Sequence, residues 1–105
     1  MITIELDKIR VLRFNRKALK MLENTFKTKV MKINFDDLST DDMTKIIHIA
    51  LQHEDSALTL EQTEELVDRY PYFGILVKKS MDAFALAMMG PKEDKKDVEV
   101  LEEKK

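Results

Sequence analysis

Both histidines of the chain, His48 and His53, fall in the stretch HIALQHEDSALTLEQTEEL at positions 48–66, beside Glu54, Asp55 and a Thr59-x-x-Gln62 pattern. Imidazoles and carboxylates this close together invite a reading as a metal or acid–base site. Two histidines on one helix chelate a metal when they stand three or four residues apart, because ~100° per residue then brings both rings to one face. His48 and His53 are five apart, which places the rings about 140° from each other. There is no HExxH pattern, and with no cysteine neither a thiolate metal site nor a disulfide exists. The spacing therefore predicts no metal ligands. His53 is expected in the last turn of a helix, where a donor suits the free carbonyls, and His48 at the border of an apolar stripe.

Catalysis has no better footing. A serine nucleophile needs an activating base, and Ser39 and Ser56 suit cap and loop positions instead. The pairs Asp36-Asp37 and Asp41-Asp42 stand where a helix entry favours negative charge. The only glycines are Gly74 and Gly90, too few and too far apart for a phosphate-cradling loop. No catalytic, cofactor-binding or metal-binding residue is expected, and no enzyme.

The elements around this stretch can be read from periodicity. Residues 2–6 (ITIEL) and 9–14 (IRVLRF) alternate as two β-runs, the start of a hairpin. With Asp7-Lys8 as a two-residue turn, Leu6 faces Ile9, Ile4 faces Val11 and Glu5 faces Arg10. That register puts Ile2, Ile4, Leu6, Ile9 and Val11 on the inner face, and Leu12 and Phe14 on the outer. Asn15 is an N-cap for a helix to about residue 26, with Phe14 and Leu19 at staple spacing. Residues 27–37 read as a loop or short strand anchored by Val30, Ile33 and Phe35. Ser39 opens a second helix, whose stripe is Met43, Ile46, Ile47, Ala50 and Leu51 and whose end lies near His53. Thr59 and Gln62 form a capping box for a third helix, with Leu66, Val67 and Tyr70 inward and Pro71 as its stop. A fourth helix spans about 72–89, with Phe73, Leu76, Val77, Met81, Phe84, Ala85 and Met88 as its stripe and Gly90-Pro91 as its end. On this reading the HED tripeptide is punctuation between two helices.

The fold class predicted is mainly α (α+β): an N-terminal β-hairpin followed by about four helices. At 105 residues the chain suits one domain, residues 1–90. Residues 91–105 (PKEDKKDVEVLEEKK) are so charged that a mobile tail is expected, with a nascent helix near its end. No apolar run reaches the ~18 residues of a membrane span, and the first residues lack a signal-peptide layout. These features predict an intracellular protein, or one carried inside a particle, with no membrane partner.

Charge is unevenly spread. Residues 1–32 hold nine Lys/Arg against three acids, and residues 33–70 two against ten. The acidic middle would repel phosphate, and no helix rich in Arg, Lys, Asn and Gln offers itself as a DNA reader, so no nucleic acid is expected. The two regions are expected to attract each other, within one chain or between subunits. The last helix adds a second signal: three of the seven Met and two of the five Phe lie in it, and Met-rich surfaces adapt to varied partners. Most of this stripe reads as core. Ile75, Leu86 and Met89 fall beside it, and an apolar helix wider than one face suggests contact with another chain. The candidate partner-binding residues are Ile75, Met81, Phe84, Leu86, Met88 and Met89.

The opening ITIELDKIRVLRFNRKALKMLE, the segment ALQHEDSALTLEQTEELVD and the final FGILVKKSMDAFALAM together resemble the tail assembly chaperones of long-tailed phages, prophages and gene transfer agents. The resemblance covers roughly residues 2–90. It implies a non-enzymatic morphogenesis factor of the bacterial host cytoplasm. Such a factor holds the long, aggregation-prone tape measure protein, recruits tail tube (major tail) subunits and is absent from the finished virion. That family is often made in two lengths by a ribosomal frameshift, and it supplies no fixed ligand or catalytic residues. A hairpin edge pairing between subunits, or the charge split setting a head-to-tail register, would favour homo-oligomers around a long client. The alternative is a small regulatory or antitoxin-like interaction module, which predicts a stoichiometric partner encoded next door.

Overall fold

The structure, a computed structural model, describes residues 2–90; the tail expected over 91–105 lies outside the described residues. Asn15, Ser39 and Thr59 start helices as their side chains require. Asn15 Oδ1 accepts from the Ala18 N–H at 2.8 Å and opens α1 (Arg16–Phe26). Ser39 Oγ accepts from the Asp42 N–H while the Asp42 carboxylate accepts from the Ser39 N–H, a full capping box at the head of α2 (Thr40–Leu51). Thr59 and Gln62 make the same reciprocal pair for α3 (Leu60–Arg69), at 3.0 and 2.9 Å. Tyr70, extended as a residue before proline must be, ends it. The last helix, α4 (Phe73–Met89), stops at Gly90, whose φ of +80° suits glycine alone. Before these helices come β1 (Ile2–Glu5) and β2 (Ile9–Leu12), one antiparallel hairpin. The architecture is the α+β arrangement the sequence predicts.

The helix α2 is the centre of the molecule. It packs against β2, α1, α3 and α4, so its expected stripe of Met43, Ile46, Ile47, Ala50 and Leu51 is buried and Thr44 and Ile49 are buried as well. Each fully covered aliphatic side chain contributes on the order of 1.5–3 kcal/mol. Two buried threonines satisfy their hydroxyls by donating to the carbonyl four residues back, Thr44 to Thr40 and Thr63 to Thr59. Residues 27–37 form no strand; they make two short 3-10 turns, Val30–Lys32 and Phe35–Asp37. Val30, Ile33 and Phe35 do pack on the core from there, as expected.

Two expectations are corrected. The hairpin register is Ile2 opposite Leu12, Thr3 opposite Val11, Ile4 opposite Arg10 and Glu5 opposite Ile9. The loop is therefore three residues, Leu6 to Lys8, and not the two-residue Asp7-Lys8 turn. A slip of one residue flips the whole of β2: Ile9 is 69% exposed, while Leu12 and Phe14 are buried. The observed register wins because Leu12 and Phe14 bury more apolar area than Ile9 and Val11 would. Its cost is Arg10, which now points inward at 3% exposure and needs a counter-charge.

The second correction concerns α4. Its fully buried positions are Leu76, Ser80 and Ala83, with Phe73, Val77 and Phe84 partly covered, while Met81 is 38% exposed. The helix is thus rotated away from the bulky stripe expected of it. Small residues at 80 and 83 let α4 approach α2 and the hairpin closely, and the large side chains straddle the contact. Leu76 of the expected stripe does sit at the contact; hydropathy weighs bulk, so it passed over Ser80 and Ala83 beside it.

Candidate interaction site

The HED tripeptide turns out to grip β2. His53 Nε2 donates to the Val11 carbonyl at 2.7 Å, which fixes the protonated ring nitrogen, and the Val11 N–H donates to Glu54 Oε1 at 3.3 Å. Asp55 reaches Arg10, with Oδ2 3.4 Å from its Nη1. The Arg13 N–H adds a bond to the Ala50 carbonyl at 3.1 Å. The outer edge of β2 is thereby closed by the C-terminal end of α2 and the turn after it. On the other edge Lys79 Nζ donates to the Thr3 carbonyl at 2.7 Å. An edge held by a lysine and by tertiary bonds is a poor template for another strand, so the open hairpin edge expected for subunit pairing is largely taken. His53 likewise does not cap α2, as its position had suggested. His48 Nε2 instead donates to the Leu58 carbonyl at 2.7 Å, which Gln52 Nε2 also reaches at 3.1 Å, fastening the loop before α3.

Among the described residues Arg10 is the one buried ion. Its Nε and Nη2 donate to the two oxygens of Asp7 at 2.8 and 2.9 Å, a bidentate fork across the hairpin loop. These hydrogen bonds are the main reason the Asp7 carboxyl is pulled from 3.8 down to about 2. The same bonds push the Arg10 guanidinium further up. All three guanidinium nitrogens are engaged within the chain, so the group is a structural rivet. Sequence reading missed it. The only available signal was an Asp and an Arg three residues apart in a turn lacking glycine.

The six candidate partner-binding residues do not form one patch. Ile75 and Leu86, eleven residues and three turns apart, share the flank of α4 that carries Lys79. Met81, Phe84 and Met88 share the opposite flank, and Met89 lies between the two. Ile75, Met81 and Met89 are 43%, 38% and 80% exposed. Phe84 is half-buried, stacked edge-on to Phe14 at 5.9 Å and tilted on Phe35 at 5.0 Å. Leu86 lines an open, mainly apolar trough of about 610 Å³ between the hairpin and the end of α4, with Ile2, Val11, Phe14, Ala83 and Ala87. Arg13 and His53 also line it. Ala83 and Ala87 leave room on the helix side of the trough, and the hairpin forms its other wall, a pairing that only the tertiary arrangement brings about.

Among the described residues no group of three or more His, Asp or Glu side chains is placed to hold a metal ion. No helix there is long and apolar enough to cross a membrane. Comparison with known protein families, curated proteins and solved structures finds no match to this chain.

Proposed function

We propose that this chain is a non-enzymatic tail assembly chaperone, one that holds apolar helical segments of a tape measure protein in solution and brings tail tube subunits to them. The reading rests on the resemblance of residues 2–90 to that family. One structural observation supports it most: α4 seats itself by small residues and leaves apolar side chains on both flanks, above an apolar trough. A helical client laid along α4 would cover Ile75 and Leu86 from one side or Met81 and Met88 from the other, in the manner of helix-in-groove recognition. Flexible methionines suit a client whose sequence varies along its length. The place of work is the cytoplasm of the bacterial host, and the finished virion lacks the protein.

The test is co-expression with helical segments of a tape measure protein encoded beside this chain. Segments insoluble alone are expected to stay soluble and to co-elute with this protein. Ala87→Glu, a charge placed in the trough at an exposed position, is expected to abolish co-elution while the protein itself stays folded. If every segment precipitates and the protein elutes alone, the chaperone reading falls.

A further inference from the structure

Leu12, Phe14 and Ala83 of the trough are buried, but Ile2, Val11 and Leu86 are only half-buried and Ala87 is exposed, so apolar surface is left facing water. Its surroundings are cationic. Arg13 lines it, and Arg16 and Lys17 follow in the first turn of α1, where no acid stands. All three are exposed, and none is in an ion pair among the described residues. An occupant suited to this place has apolar side chains with acids beside them. It is not an added strand, because the Val11 N–H and carbonyl are bonded to Glu54 and His53, and the Thr3 carbonyl to Lys79.

The chain carries such a segment a short way on. Beyond Gly90 the sequence reads PKEDKK and then DVEVLEE, residues 97–103. Val98, Val100 and Leu101 are the aliphatic residues of 91–105, and Asp97, Glu99, Glu102 and Glu103 surround them with no cation between. Leu86 and Ala87 stand in the last turn of α4, and Gly90, at φ +80°, turns the chain out of the helix just past them. The eight steps of chain from Gly90 to Val98 reach up to about 26 Å when extended, several times the ~6 Å between Ala83 and Ala87 along the helix. A tether this short holds its segment at about millimolar effective concentration, enough for three aliphatic side chains to compete for the trough.

We propose that residues 97–103 dock in the trough of their own chain. Val98, Val100 and Leu101 cover Ile2, Val11 and Leu86, and the acids of the segment face Arg13, Arg16 and Lys17. The docked segment shields the trough from water and from other apolar chains. A second copy offers the same segment, but at the concentration of the solution and not of the tether. That a client must displace the segment rests on the chaperone reading; the docking itself does not.

The chain has no cysteine, so Lys104→Cys carries a single nitroxide beside the segment without altering it. In the labelled full chain the methyl NMR signals of Ile2, Val11 and Leu86 are expected to weaken severalfold, and to recover when the nitroxide is reduced. Val98→Ser/Val100→Ser/Leu101→Ser, beyond the last helix, and Ala87→Glu, in the trough, are each expected to abolish the weakening. A mixture of nitroxide-bearing copies without isotope and isotope-labelled copies without nitroxide is expected to show none. Unchanged methyls in the labelled chain overturn the proposal. So does weakening that survives either variant, or weakening of equal size in the mixture, which would make a second copy the occupant. No client is present, so failure here is separate from failure of the co-expression test.

Discussion

At Arg10, a guanidinium 3% exposed is held by the two oxygens of a carboxylate three residues away. Removing one partner of such a pair leaves an uncompensated charge, which is worse than never having built it. The sign of the pH effect follows from Asp7, whose folded pKa of about 2 lies below its usual 3.8. A depressed carboxyl contributes its stabilisation above about pH 4 and loses it as the pH falls toward 2. Asp7 is 40% exposed in its side chain, so solvent screening holds the contribution to about 1 kcal/mol. Urea titrations of wild type and Asp7→Asn between pH 2 and 6 are expected to diverge above pH 4 and converge near pH 2; parallel curves would remove Asp7 from the account. Ser80 is the opposite case. Its hydroxyl is fully buried with no hydrogen-bond partner, so Ser80→Ala is expected to stabilise by about 1 kcal/mol, or ~4–8 °C in Tm. A lower Tm would mean that the hydroxyl is satisfied.

Helix starts were the most legible elements, because a cap is a local pattern: Asn15, Ser39 and Thr59 each bond within three residues. The hairpin register was not, because it depends on a loop whose length no glycine announces and on a counter-charge, Asp55, that is 45 residues from Arg10 in the chain. The α4 seat was legible only in part: Leu76 stood on the expected stripe and is buried, while Ser80 and Ala83 contribute closeness, which hydropathy does not see. The HED turn was placed correctly between two helices, yet its side chains act on β2 and not on the helix ends. That gives an element-scale prediction. Glu54→Ala removes the acceptor of the Val11 N–H and is expected to cost about 0.5–1 kcal/mol. Hydrogen exchange at Val11 should quicken severalfold while amides in the middle of α2 keep their rates. Equal acceleration throughout would mean that the clamp belongs to the global fold rather than to the hairpin.

At the scale of the molecule, a buried central helix carries four neighbours; exposed apolar side chains lie along α4 and the trough beside it, and also at Ile9, Met31 and Tyr72. The candidate residues chosen from sequence all lie on that helix, but the structure divides them between two flanks and adds the trough, which required the tertiary arrangement to exist. A client contact there should be visible at the methionine methyls, since five methionines are distributed usefully: Met81, Met88 and Met89 on α4, Met43 buried in the core, and Met31 77% exposed in the short turn Val30–Lys32. The most direct measurement is therefore a methyl NMR titration of the protein with a co-purified or synthetic helical segment of the tape measure protein. Met89 and at least one of Met81 and Met88 are expected to shift or broaden, while Met31 and Met43 hold still. Shifts confined to Met31, or none with a segment the protein keeps soluble, would contradict it.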